Sequence, residues 1–117
     1  MGLFDSLLGK KSERDDAEAA ERKLKIQALQ SQGKSNLFTV DGAFFIKGVG
    51  VIPTGTVTSG VIMPGQKAEI NGKVVQIKTI EANHRRLENA IEGEKIGMSL
   101  SNVSKEDIAI GDVLTFR

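Results

Sequence analysis

The chain lacks cysteine, tryptophan and tyrosine, and it contains one histidine and two prolines in 117 residues. Without cysteine it can form no disulfide, no thiolate metal site and no cysteine nucleophile, which fits a reducing compartment. With His84 as its single histidine, it has no multi-histidine metal site and no choice of partners for a serine–histidine pair. The sequence therefore predicts no catalytic residue, no metal and no cofactor.

Long apolar runs and an excess of one charge are also missing. The longest apolar stretches have four residues, such as Ala43-Phe44-Phe45-Ile46, whereas a membrane-spanning helix needs about 20. Sixteen Lys and Arg against 15 Asp and Glu give a net charge of +1, so no bulk attraction to nucleic acid or anionic lipid is expected. No basic segment precedes an apolar core, as it would in a secretory signal. We expect a soluble, cytoplasmic chain.

Composition changes near Asn36 and divides the chain into two predicted parts. Residues 1–36 are rich in Ala, Glu, Lys and Leu, which favour helix, while ten of the 13 glycines and both prolines come later. The first part predicts a helical extension that ends near Gln30, followed by a linker over residues 31–36. We expect residues 37–117 to fold as a domain on their own.

The main predicted helix has a thin apolar face. Its stripe consists of small residues and Leu24, with Ile26 and Leu29 beside it. Gly33 suits the position just after a helix C-terminus, where glycine readily adopts a positive φ. Such a helix is marginal alone and needs a partner surface.

The first residues carry four large apolar side chains at helical spacing: Leu3, Phe4, Leu7 and Leu8. A two-turn helix cannot bury such a face by itself. We expect this face to dock on a protein partner or on a second copy of the chain. A membrane surface is the remaining candidate, since two lysines that follow favour anionic headgroups, although this attraction alone is weak.

From Leu37 onward, short apolar runs alternate with turn sequences. Asn71-Gly72 predicts a hairpin, because both central residues of a type I′ turn need positive φ. Ser59-Gly60 predicts a second hairpin, and Pro64-Gly65 suits a type II turn. Six or so short strands predict a closed or nearly closed antiparallel barrel. The main predicted strands cover residues 43–47, 50–58, 61–63, 67–70, 73–81, 95–101 and 113–116.

Two glycine-containing segments look like nucleotide-binding motifs but fail in detail. The segment from Gly60 to Lys67 has its lysine displaced by one position, lacks the following Ser or Thr, and carries Pro64-Gly65 where a P-loop leads into a helix. Gly48-Val49-Gly50 lacks the third glycine of a dinucleotide-binding fingerprint and leads into a strand. We expect turns at both places and no binding of GTP.

Three stretches of the second part together carry a family resemblance. They are FIKGVGVIPTG at 45–55, SGVIMPGQK at 59–67 and NVSKEDIAIGDVL at 102–114. In this order, residues 44–114 resemble the second domain of translational GTPases of the elongation factor Tu type. The sequences of these stretches are more similar to the archaeal and eukaryotic aminoacyl-tRNA carriers than to elongation factor Tu.

This resemblance implies a mainly β fold, a six- to seven-stranded antiparallel barrel preceded here by the helical extension. In the tRNA carriers this domain helps to form the pocket for the aminoacylated 3′ adenosine. The glutamate that matches Glu81 touches this nucleotide, and the residue that matches His84 lies next to it. Arg85 and Arg86 follow, and arginine offers paired donors to phosphate.

The sequence also departs from the family. Between Gly55 and Gly60 the usual arginine and glutamate are replaced by Thr56 and Thr58, and the 117 residues contain no GTPase domain. Two functions remain open. One is a non-catalytic module that contacts RNA, at the acceptor end of tRNA, or another translation component, although the absence of Tyr and Trp argues against strong RNA affinity. The other is a protein-interaction or scaffold module that docks through the N-terminal apolar face; an enzyme is least favoured.

Overall fold

The computed structural model describes residues 19–117, most of which lie in strands. Residues 19–31 are helical, and we refer to them as the N-terminal helix. A short 3-10 helix covers Lys105–Asp107. The strands are β1 (Asn36–Ile46), β2 (Gly50–Ser59), β3 (Val61–Ile62), β4 (Lys67–Ile70), β5 (Lys73–Ala82), β6 (Arg85–Leu87), β7 (Ala90–Ile91), β8 (Lys95–Leu100) and β9 (Val113–Phe116).

Six of these strands form a nearly closed antiparallel barrel in the order β4-β5-β8-β2-β1-β9. The two ends of this order meet through Lys67 and Arg117, whose backbone N–H groups each donate to the other's carbonyl oxygen at 2.9 Å. Strand β6 pairs with β5, and β3 pairs with β7 as a separate two-stranded sheet. The predicted mainly β fold with an N-terminal helix is confirmed.

The core follows from the two-residue period of the strands. Buried residues alternate with exposed ones along β4 and most of β5, and with half-buried ones along most of β2, because successive side chains point to opposite faces of a strand. Phe38, Ile80, Met98 and Phe116 are almost completely buried inside the barrel. The large core cluster consists entirely of residues between Phe38 and Phe116, so the barrel carries a core of its own.

Two predicted turns are confirmed by their backbone angles. Asn71 and Gly72 have φ values of 50° and 78° and join β4 to β5, as a type I′ turn requires. Gly65 has a φ of 94°, and the N–H of Gln66 donates to the carbonyl of Met63 at 3.3 Å, which fits a type II turn over Pro64-Gly65.

The hairpin predicted at Ser59-Gly60 is wrong. Strand β2 continues to Ser59 and pairs with β1 and β8, whereas β3 pairs with β7. The backbone turns away at Gly60, which has a φ of 72°. The neighbouring N–H groups are taken by side chains, that of Gly60 by Glu92 and that of Val61 by Asn36. Since both edges of β2 are already paired, β3 finds its partner elsewhere.

The N-terminal helix packs on the sheet formed by β3 and β7. Leu29 is 7% exposed and lies in a small buried cluster with Val61 and Ile91. Ile26 also packs against this cluster, whereas Leu24, part of the predicted stripe, is 67% exposed. The helix therefore packs through Ile26 and Leu29, which lie beside the predicted stripe.

Polar contacts fix the same helix at two points. Arg22 donates through Nη1 and Nη2 to both carboxylate oxygens of Glu94, at 2.9 and 2.8 Å, and through Nε to Asn89 Oδ1 at 2.8 Å. The hydrogen bond from Arg22 lowers the pKa of Glu94. Beyond the helix end, Lys34 pairs with Glu92 at 3.2 Å. None of the helical residues within 19–117 forms a stretch long and apolar enough to cross a bilayer.

Candidate functional site

Strands β5 and β6 are joined by a tight turn at Asn83-His84. Both residues have positive φ, 52° and 63°, and the flanking pairs are Ala82 with Arg85 and Glu81 with Arg86. This geometry belongs to a type I′ turn. Histidine in the left-handed region is uncommon, so its backbone strain, on the order of 1 kcal/mol, is carried at a place where the side chain projects from the barrel.

The β1–β2 hairpin ends in an exposed apolar tip. Phe44 and Phe45 are 52% and 54% exposed, and Ile46 and Val49 are also largely exposed. Gly48, with a φ of 86°, sits in the turn, and the N–H of Val49 donates to the carbonyl of Ile46 at 2.9 Å. Large apolar side chains grouped in this way on a surface are typical of binding sites.

A groove of about 410 Å³ lies between this hairpin and the β5–β6 turn, within the size range of about 300–1,000 Å³ that ligand sites have. We call it the hairpin groove. Strands β1 and β2 supply one wall, the end of β5 and the turn supply another, and β8 contributes residues 95–99. Its large apolar side chains are Phe44, Ile46, Val49, Ile52, Ile96 and Met98. Its charged or titratable side chains are Asp41, Glu81, His84 and Lys95.

Two of the predicted site residues, Glu81 and His84, line this groove. Arg86 instead lines a second depression, of about 550 Å³, together with Lys23 of the N-terminal helix. Arg85 is exposed in β6, directly after the turn. The structure thus brings the predicted acidic residue and the histidine to one groove. Arg86, although paired with Glu81 across β5 and β6, lines the neighbouring depression.

The other predicted features lie away from the hairpin groove or outside the described residues. Leu3, Phe4, Leu7 and Leu8 lie outside the described residues. The near-match to a P-loop runs from Gly60 through β3 and a turn into β4, so Lys67 opens a strand instead of a helix. Within residues 19–117, no group of three or more His, Asp or Glu side chains is arranged to hold a metal ion.

A polar network around Asp107 holds the 3-10 helix that lies beside the tip of the β1–β2 hairpin. Asp107 accepts hydrogen bonds from Lys73 Nζ at 2.6 Å, from Asn71 Nδ2 at 3.0 Å and from the N–H of Ser104 at 2.9 Å. These donors, Lys73 foremost, hold the pKa of Asp107 far below its ordinary value. The 3-10 helix fixed in this way carries Lys105, whose Nζ lies 4.8 Å from the ring centroid of Phe45, a cation–π distance.

The apolar wall of the groove was missed in the sequence. Ala43-Phe44-Phe45-Ile46 is the longest type of apolar run in the chain and adjoins a glycine-containing turn. Successive side chains of a strand point to opposite faces, so a barrel strand that is apolar at four consecutive positions exposes apolar side chains; here Phe44, Phe45 and Ile46 are all exposed. This signal marks an exposed apolar hairpin, and it was available from the sequence.

Comparison with known proteins agrees with this architecture. The family profile of elongation factor Tu domain 2 matches residues 50–115, which is more than half of the chain. The chain belongs to the elongation factor Tu domain 2 family. In translational GTPases this domain is a non-catalytic β-barrel, and the GTPase domain of those proteins is not among the residues of this chain.

Individual relatives of this family member are archaeal translation factors. Elongation factor 1-alpha of Methanococcus maripaludis is 43% identical over 77 residues, which cover 64% of this chain and 18% of the relative. Elongation factor 1-alpha of Cenarchaeum symbiosum is 37% identical over 84 residues, or 70% of this chain and 19% of the relative. The chain thus spans less than a fifth of the length of these curated relatives.

A solved structure shows the same fold. The apo form of translation elongation factor SelB from Methanococcus maripaludis matches with a TM-score of 0.62 and 26% sequence identity, over 70% of this chain and 18% of that chain. The resemblance inferred from the sequence is confirmed.

Proposed function

We propose that the chain is a non-catalytic binding module that holds the single-stranded 3′ end of an RNA, such as the acceptor end of a tRNA, in the hairpin groove. The observation that carries this proposal is the position of Glu81 and His84 on an apolar groove in a barrel of the translation-factor family. The proposal takes the protein to be cytoplasmic, as the homologous translation factors are.

The groove has the chemistry that an unpaired terminal base needs. Single-stranded RNA is recognised through splayed bases that stack on aromatic or apolar side chains and hydrogen-bond at their edges. Phe44 and Ile52 offer the apolar surface, while Glu81 accepts a hydrogen bond from a ribose hydroxyl or an exocyclic amine. Arg85, exposed directly after the turn, offers paired donors to a phosphate.

The expected affinity is modest. The net charge is +1, and the guanidinium of Arg22 on the N-terminal helix is already paired with Glu94. One or two phosphate contacts on a single strand predict a logarithmic salt slope near −1. The affinity then depends mainly on the fit of the terminal base in the groove.

Fluorescence anisotropy with a labelled RNA minihelix that ends in CCA tests this proposal. Glu81→Gln is expected to weaken binding about tenfold, since a hydrogen bond to a charged group contributes roughly 1.5–3 kcal/mol. Glu69→Gln is the matched control, because Glu69 is exposed on β4 and does not line the hairpin groove. It lies where β4 meets β9, which we call the opposite seam of the barrel. Equal effects of the two substitutions, or binding that is unchanged by Glu81→Gln, would contradict the assignment.

A protein-binding role is the second candidate, favoured by the exposed rings of Phe44 and Phe45. Pull-downs from native lysate, with and without RNase, separate the two functions. A partner that survives RNase and is lost with Phe45→Ser supports the protein-binding role. A partner set that disappears with RNase supports the RNA-binding role.

A further inference from the structure

We propose that the apolar N-terminal segment of this chain, with Leu3, Phe4, Leu7 and Leu8, packs into the hairpin groove of the same molecule and thereby competes with RNA. The packing stands on the geometry of the groove and of the N-terminal helix. Only the competition rests on the proposed function.

The groove presents the surface that such a segment needs. Its wall side chains Phe44, Ile46 and Val49 are each more than two-fifths exposed in the described residues. Soluble proteins rarely leave apolar side chains grouped in this way without a use. The segment carries four large apolar side chains within six residues, so each surface supplies what the other lacks.

The N-terminal helix leads toward the groove. Its contacts run in the opposite direction to the chain from β6 to β7: Leu29 lies against Ile91, and Arg22 binds Asn89. Ala19, the first described residue, lines the same depression as β6. Following the helix toward lower residue numbers therefore leads along β6 toward the turn that borders the groove.

The chain before Ala19 is long enough to span the distance from the start of the described helix to the groove. From Leu87, which lines the same depression as Ala19, to Asn83 at the turn are four positions of extended chain, about 13 Å at 3.3 Å per residue. Leu8 lies eleven positions before Ala19, so eleven residue steps join them. They cover about 16 Å at the helical rise of 1.5 Å per residue and up to about 36 Å when extended. The segment reaches the groove in either conformation.

Charge also favours the apolar segment as the occupant. Lys10 and Lys11 directly follow the apolar segment, and Asp41 and Glu81 line the groove. Opposite charges at the rim steer the segment toward the groove.

The absence of cysteine makes a direct test simple. Ser12→Cys in the full chain creates a single site for a nitroxide spin label next to the segment, and paramagnetic broadening of backbone amide signals reports what lies near it. We expect loss of the amide signals of Val49, Ile52 and His84, while those of Glu69 and Thr115 at the opposite seam persist. Retained signals at the groove, or equal loss at both places, would overturn the proposal.

Two variants show whether the apolar side chains cause the contact. Adding Phe4→Ser and Leu8→Ser to the labelled chain is expected to restore the groove signals. Leu24→Ser is the matched control, since Leu24 is exposed on the N-terminal helix, and it should leave the loss unchanged. If the groove signals stay lost in the Phe4→Ser/Leu8→Ser chain, the apolar segment is not the occupant.

Two further experiments distinguish a segment of the same molecule from a second copy in the groove, and test the competition with RNA apart from the packing. Broadening in a mixture of spin-labelled chain and separately isotope-labelled chain would show that a second copy fills the groove, against the proposal. Competition predicts that Phe4→Ser/Leu8→Ser binds the CCA-ended minihelix several-fold more tightly than the unchanged chain, and equal affinities would overturn it. If neither chain binds RNA, the proposed function fails, while the broadening still decides the packing.

Discussion

Replacing Leu29 by Ala is expected to lower the free energy of unfolding by about 2–3 kcal/mol. Leucine-to-alanine substitutions at buried sites cost about 2–5 kcal/mol, because they remove apolar contact and leave a cavity. The lower part of this range applies here, since Leu29 belongs to a cluster of only three buried residues, with Val61 and Ile91, and the helix can shift to close part of the cavity.

The neighbouring ion pair contributes less. Side chains of Arg22 and Glu94 are 33% and 37% exposed, and ion pairs this accessible to water and salt contribute about 1 kcal/mol or less. The apolar contact of Leu29 therefore holds the N-terminal helix on the barrel, and the hydrogen bonds of Arg22 mainly set its direction.

Thermal and urea unfolding followed by circular dichroism measure this effect. The expected loss corresponds to a melting temperature lower by about 10 °C for a chain of this size. Leu24→Ala is the control, because this exposed side chain on the same helix should change stability by no more than about 0.5 kcal/mol. Equal results for Leu24→Ala and Leu29→Ala would refute the packing of the helix on the barrel.

Three further predictions concern the barrel itself. Gly55→Ala is expected to cost more than about 3 kcal/mol, since a Cβ there would press into the backbone carbonyl of Thr39; urea unfolding measures it. Asp107 has a lowered pKa in the folded state, so its stabilisation is present above the unfolded value of about 3.9 and is lost at lower pH. The difference in melting temperature between the unchanged chain and Asp107→Asn should therefore shrink from pH 5 to pH 2. His84→Gly is expected to raise the free energy of unfolding by roughly 1 kcal/mol while weakening RNA binding in anisotropy titrations. If the substitution lowers both the stability and the RNA affinity, the positive φ of His84 carries no strain.

The sequence predicted those parts of the fold whose cause is local. Asn71-Gly72 specifies its turn because few other residue pairs adopt two positive φ angles at low cost. Alternating apolar residues specify a strand with one buried face. The hairpin at Ser59-Gly60 was predicted from the same signals and is wrong, because the pairing of β3 depends on which edges of β2 are free, and this is decided by distant strands.

The site was only partly predictable for a related reason. Glu81 and His84 were identified by resemblance, and the turn that presents them was missed because Asn83-His84 lacks the glycine usual in such turns. The apolar wall comes from β1 and β2, about thirty residues earlier in the chain, and only the closed barrel brings it near β5. The depression that Arg86 lines likewise depends on the packing of the N-terminal helix.

Amide chemical-shift mapping of the full chain during titration with a CCA-ended RNA tests the central claim most directly. Among residues 19–117 we expect shifts confined to the groove, at residues 44–52, 81–85 and 95–99, with an affinity that falls with salt at a logarithmic slope near −1. Shifts spread evenly over the barrel, shifts centred on the β4–β9 seam, or no shifts at millimolar RNA would contradict the assignment of the hairpin groove as an RNA-binding site.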